Sequence, residues 1–316
     1  MLKETPPSPT TANHDWLSEA EKKTFELLKT EYEKTAINMT KFVKVAGYGK
    51  ERVERDQEMV RKKKKEIQEA GTGPTRKARL LEALLTEQIE LSNWFGENTY
   101  TIIPAEFDDL FHGVDLALEI EDENEVKHIA LGIDVTSSSV SIRKKLKIIK
   151  DHIADGTLTS MEYFHSEDHN PDFYGTMSNI PQVVIGSDGK TIKELSELWM
   201  SAYGLAKLRK DSKQTPLSPE TKEGQKKSSR KAREELARHR VQALILEEIK
   251  MQLTVFSRFA TEKKQYGTAK KLTSSLDLIN SILSSKENPS INDVFQNRED
   301  FVFQALTETL NDFDNL

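Results

Sequence analysis

The sequence predicts a mixed α/β protein: a small sheet in the middle of the chain, with helices before and after it. Three observations predict this. Short apolar runs rich in β-branched residues, bounded by turn signals, concentrate between about residues 99 and 186. Apolar residues at alternating three- and four-residue steps mark both ends of the chain. Between them, residues 106–136 read as two apolar runs, 114–120 and 128–135, around the acidic turn E-D-E-N-E, which is the pattern of a hairpin.

Composition narrows the class. The chain has 316 residues, 31% charged and 36% hydrophobic, enough for a sizeable core with much helical surface. It has no cysteine, which excludes a disulfide framework or a thiolate metal site and suits a reducing cytoplasm. No stretch reads as a signal peptide or approaches the length of a membrane span, so a cytoplasmic protein without membrane association is expected. The formal net charge of −6 argues against a basic coat for nucleic acid while leaving room for a local basic groove.

In chain order, residues 1–14 hold three prolines and several threonines and read as a disordered tail. Residues 15–73 form an N-terminal helical region. Its first helix runs over 16–46 with Phe25, Leu28, Tyr32, Ala36, Met39 and Val43 on one stripe, and Gly47 and Gly49 bracket a break. The second, 50–70, is nearly all charged. Val53, Val60 and Ile67 form a thin seam suited to a helical hairpin or coiled coil. The basic run at 61–65 has acidic neighbours and reads as a solvated face rather than a phosphate-binding patch.

Residues 74–208 form the α/β core. A helix over 76–95 buries Leu80, Leu81, Leu84, Leu85 and Ile89, and Gly96 closes it. A strand at 99–104, the acidic hairpin and a helix at 140–154 follow. Then come a strand at 160–165, a polar loop at 166–178, an apolar strand at 181–186 and a helix from 191 to about 208. Residues 209–229 read as a linker, and 230–316 as a C-terminal helical region whose last helix is capped around 290–293.

The chemistry concentrates in the hairpin. Asp115 heads the first strand and Asp134 closes the second, so an antiparallel pairing sets them side by side. Bare carboxylates in a buried hairpin need a cation, and a hard divalent metal with oxygen ligands is the simplest one. Other groups carry weaker signals. His165, Asp168 and His169 could ligate a transition metal but fit a polar loop better. His112 could lie near the active centre and Asp108 and Asp109 could steer a metal, but all three fit ordinary loop residues better, and Ser137 to Ser139 lack the glycine elbow of a serine nucleophile.

The order helix, strand, acidic hairpin, helix, strand, with G-V-D-L-A-L and I-D-V-T in the hairpin, resembles the αβββαβ core of the PD-(D/E)XK nuclease superfamily across residues 76–208. The resemblance implies metal-dependent phosphodiester hydrolysis of nucleic acid, DNA above all. Asp115, Asp134, the Val135 carbonyl and Glu87 would hold Mg²⁺ or Mn²⁺, with Glu90 as the alternative helix glutamate. The family's lysine position is Thr136 here. Divergent members carry that lysine on the following helix, where Arg143, Lys144, Lys145 and Lys147 stand, and Lys144 is the expected substitute. The lost charge at position 136 keeps a second expectation open: a catalytically inactive nuclease-like module that binds nucleic acid, or a protein partner through its terminal helices. A helical scaffold with an α/β module is a third.

Overall fold

The structure, a computed structural model, describes residues 16–121, 128–166, 173–211, 219–286 and 299–316. The expected tail, Asp168, His169 and the expected cap at 290–293 lie outside the described residues. The central sheet has four strands in the order β1 (Thr99–Ile102), β2 (Leu116–Glu121), β3 (His128–Thr136) and β6 (Gln182–Gly186). The first three form an antiparallel meander, and β6 lies parallel to β3. A parallel partner needs a long crossover. It is supplied by helix α5 (Ser139–Ala154) and by a separate antiparallel hairpin of β4 (Thr159–Ser166) and β5 (Phe173–Ile180).

The two faces of the sheet differ in side-chain size. Leu116, Leu118, Ile120, Leu131, Ile133 and Val135 face the main core, where helix α3 (Arg76–Leu91) packs with Leu80, Leu81, Leu84 and Leu85. The other face carries Ala117, Ala130 and Gly132 and is covered by Met161, Phe164 and Ile180 of the β4–β5 hairpin. A methyl at Gly132 would already touch the Thr159 and Val114 side chains at 3.5 Å, so small residues here set how closely the hairpin approaches.

Several expected elements differ in place. Residues 106–112 are a helix, α4, rather than a lead-in to the strand. Glu106, Asp108 and Asp109 favour its N-terminus electrostatically, and Gly113 ends it at φ 65°, where glycine carries no steric cost. The polar segment read as a loop includes β5, whose outward face has no apolar alternation to betray it. After α7 (Leu205–Asp211), the expected linker is helical again from Pro219 in α8 (Pro219–Ala237).

At the N-terminus α1 spans Glu19–Thr35, followed by a 3₁₀ turn, Met39–Lys44, and α2, Gly49–Ala70. The α1 helix packs on α3 and on α6 (Gly189–Trp199), while α2 packs on α4 and the 3₁₀ turn. The seam residues Val53 and Val60 therefore meet Met39, Phe42 and Tyr163 rather than a coiled-coil partner.

The C-terminal helices complete the same core, which runs from Leu17 to Phe313. Helix α9 (Val241–Glu262) lies along the free edge of β6. The Gln252 side chain accepts from the Val184 N–H at 2.8 Å and donates to its carbonyl at 2.6 Å, and Glu248 accepts from the Gly186 N–H at 3.0 Å. One helix thus satisfies an edge that would otherwise leave buried backbone groups unpaired. Helix α10 (Tyr266–Ser285) backs α9, and the last helix, Phe301–Asn311, starts from Asp300, whose Oδ1 caps Val302 and Phe303.

Candidate acidic and lysine site

Five elements converge at one end of the sheet. The register Leu116↔Ile133 slips by one residue just before β2, where the Asp115 N–H donates to the Ile133 carbonyl (2.9 Å), and the Asp115 and Asp134 carboxyls come within hydrogen-bonding reach of each other. The Asp115 carboxyl is fixed in turn: its Oδ2 accepts from the Val135 N–H at 2.7 Å. The Tyr32 hydroxyl donates to the Asp115 carbonyl at 3.3 Å.

The cation of the site is Lys145. Its ammonium donates to Asp134 Oδ1 and, at 3.2 Å, to the Val135 carbonyl. The α5 stripe explains why it is Lys145 and not Lys144. Ile142, Leu146, Ile149 and Ile153 face the core, and Lys145 flanks them three residues after Ile142 and one before Leu146. Its stem lies along the core flank while its head reaches β3. Lys144, one residue earlier, is exposed. Arg143 reaches Asp312 at 3.3 Å, and Lys147 stands 3.9 Å from Asp151, both away from the acids.

The helix acid at the site is Glu82. Glu87 instead accepts from the Trp199 indole and stands 3.6 Å from Lys207, and Glu90 accepts from the Thr101 N–H at 3.1 Å. Both expected glutamates therefore tie α3 to its neighbours rather than entering the site. Asp109 of α4 joins the cluster. Its neighbour Asp108 is buried and accepts from the Glu162 N–H (2.6 Å), the Tyr163 N–H (3.0 Å) and His112 Nδ1 (2.8 Å), clamping α4 to an irregular stretch of β4. Thr136 is buried too, and its hydroxyl shapes the entry to α5: it accepts from the Ser138 N–H at 3.1 Å and lies 2.8 Å from the Ser141 hydroxyl. His165 stacks on Tyr174 at 3.9 Å and takes no part in the cluster.

The electrostatics follow from crowding. Burial, then Asp115, pushes the Asp134 carboxyl up to about 8 against the pull of Lys145. Burial, then Asp109, pushes Asp115 up to about 7, with Lys145 and the Val135 N–H opposing. Burial also raises Asp109, and it raises Glu82 well above the carboxylate range, with Asp115 and Asp109 adding to the shift. For Lys145, burial works to lower the pKa, yet Asp134 and Asp115 outweigh it, so the ammonium stays charged. Arg79, three residues before Glu82, is the other positive charge felt by Glu82 and Asp109.

Four buried acids face only Lys145 and Arg79, which is why their pKa values rise, and carboxylate and carbonyl oxygens are also the donors a hard divalent ion takes. In donor chemistry and charge the residues fit Mg²⁺ or Mn²⁺. They are not preassembled as a cage: among the described residues no three Asp, Glu, His or Cys side chains converge as metal ligands. The Lys145 ammonium lies on Asp134 Oδ1 and the Val135 carbonyl, two of the oxygens assigned to a metal.

From the sequence Glu82 was not singled out, Asp109 was read as a solvated loop acid, and Lys145 stood behind Lys144 among the candidate lysines. Each had a signal. Glu82 is a charge between Leu81 and Leu84 on a buried face, and Lys145 borders the apolar stripe of α5. Asp109 lay in a segment read without its helix. The chain matches no family model, no curated protein and no solved structure. Among the described residues no helix is long and apolar enough to cross a membrane.

Proposed function

We propose that this chain is a metal-dependent phosphodiesterase acting on nucleic acid, built on a divergent PD-(D/E)XK-like core formed by α3, β1, β2, β3, α5 and β6. The observation that carries this reading is Lys145: its ammonium meets Asp134 and the Val135 carbonyl from α5, opposite Asp115, where the strand itself carries Thr136. The order of these elements and the mixed sheet support it.

In this reading Asp115, Asp134 and the Val135 carbonyl hold Mg²⁺ or Mn²⁺, with Glu82 completing the set directly or through water. When bound, the ion supplies Lewis acidity toward a phosphate oxygen and toward water. The chain's own residues do the rest. The Val135 N–H and the Tyr32 hydroxyl hold Asp115 in place. Asp134 keeps the Lys145 ammonium charged and directs it to the end of β3. That ammonium orients the attacking water and stabilises the charge that builds on phosphorus. One preorganised donor of this kind is typically worth about 3–4 kcal/mol.

The test is Mn²⁺-dependent cleavage of labelled oligonucleotides and plasmid. Lys145→Ala is expected to lower cleavage on the order of 10²–10³-fold, and Lys144→Ala to leave it nearly unchanged. Equal activity in Lys145→Ala and the wild type removes the mechanism. The second reading, a binding module without catalysis, draws on Lys145 lying on two prospective metal oxygens. Absence of cleavage in every preparation, with nucleic acid still bound, would favour it.

A further inference from the structure

A groove begins beside the acidic cluster. A cavity of about 690 Å³ lies between the end of α1, the 3₁₀ turn, α3, β1 and the β4–β5 hairpin, and a second of about 520 Å³ adjoins it. Both are lined by Lys41 and Tyr174, so they meet at these two side chains. The inner end of the groove touches the site twice. The Tyr32 ring lines the cavity while its hydroxyl holds the Asp115 carbonyl, and Ala83 lines it next to Glu82 on α3.

The charges along this groove are unequal in availability. The acids that line it are already engaged: Glu31 with Lys207 (2.5 Å), Glu87 with Trp199, Glu90 with Thr101 and Glu119 with Ser166 (2.7 Å). The lysines are not. Lys34, Lys41 and Lys44 are exposed, and among the described residues none has an acidic partner within 4.0 Å. The basic run of α2 behaves differently: Arg61, Lys63, Lys64 and Lys65 all pair with Glu58, Glu66, Glu106 or Glu69. Three tyrosines, Tyr32, Tyr100 and Tyr174, line the same cavity as Lys34 and Lys41, and Tyr174 is held by its stack on His165 and the edge of Phe42.

We propose that this groove binds a single strand of nucleic acid, with Lys34, Lys41 and Lys44 on phosphates and the tyrosines against unpaired bases. Open lysines for the backbone and aromatic side chains for the bases, lining one groove, are what single-strand binding requires. The bases of a duplex are stacked on one another and cannot reach such rings. Delivery of the strand to Asp115 and Asp134 rests on the phosphodiesterase reading; binding in the groove does not.

The experiment is fluorescence anisotropy of a labelled twelve-nucleotide thymidine strand with the full chain in EDTA, against a duplex of the same length. The single strand is expected to bind more tightly. Lys34→Ala/Lys41→Ala/Lys44→Ala is expected to lose at least tenfold in affinity and to reduce the salt slope by about 2, at about 0.7 per lysine. Tyr100→Ala is expected to lose about tenfold. Lys62→Ala/Lys65→Ala on α2 is expected to bind as the wild type does. The substituted lysines are surface residues, and circular dichroism checks the fold of each variant. Duplex binding as tight as single-strand binding, or an unchanged triple variant, overturns the proposal. So does displacement by polyglutamate as effective as by unlabelled strand, which would make the groove a site for acidic protein. Intact strand binding with no metal binding at Asp134 would instead sink the catalytic reading alone.

Discussion

Four carboxyls crowd one end of the sheet, and their proton affinities give the fold a pH dependence of definite sign. Asp115 and Asp134 rise from an ordinary 3.8 to about 7 and about 8. An acid whose pKa is raised by folding contributes stability that is fully present below its unfolded value and is lost as pH rises through its folded value. The metal-free protein is therefore expected to lose melting temperature from pH 4 toward pH 8. Asp134→Asn should flatten that slope, because it removes one of the acids and relieves its neighbour. A wild-type minus Asp134→Asn difference that stays constant across this range contradicts the assignment. Thr136→Lys, which restores the family's strand lysine, has a cost on this account. It deletes the hydroxyl that meets Ser138 and Ser141 at the entry to α5. It should rescue Lys145→Ala only in part and lower the melting temperature, as a thermal scan of the double variant would read.

Helix α9 behaves as a side-chain substitute for a fifth strand. Gln252→Ala leaves the Val184 N–H and carbonyl unpaired at a buried edge, and each orphaned group costs about 1–3 kcal/mol. Urea denaturation is expected to show a loss of about 2–5 kcal/mol. A loss within 0.5 kcal/mol would mean that α9 does not seal the edge. Individual elements differed in how well they could be read. Strands β2, β3 and β6 are continuous apolar runs, and α3, α5 and α9 carry clear stripes, so their type was legible. Helix α4 was not, because seven residues beginning E-F-D-D show less than two turns of period. Strand β5 was not, because its exposed polar face makes it look like a loop until β4 pairs with it. The pair Asp115 and Asp134 was legible as the acids at the matching ends of the hairpin, but the one-residue slip beside Asp115 was not. The choice between Lys144 and Lys145, and between Glu82 and Glu87, turns on a 100° step around a helix. Proximity in sequence cannot decide that, although the apolar stripes beside Glu82 and Lys145 could have.

One core runs through most of the described helices and the sheet, with α2 and the β4–β5 hairpin packed in two smaller clusters beside it. Leu17 and Phe313 belong to the same cluster, Trp94 donates to the Leu236 carbonyl at 3.0 Å, and Thr24 donates to the Ser196 carbonyl at 3.2 Å. A single calorimetric unfolding transition is expected, and a chain ending at residue 229 should not fold, because it strips the cover from β6. Two resolved transitions would contradict this. The acidic site depends on that unity, since its acids and its lysine come from five separate elements held only by the core. The proposed metal site requires that one hard cation bind among these acids. Titrating Mn²⁺ into the metal-free chain by calorimetry tests this most directly. One binding site that tightens from pH 6 to pH 8, and that Asp134→Asn abolishes, is the result this account predicts. No binding heat in the wild type, or equal binding in Asp134→Asn, would contradict it.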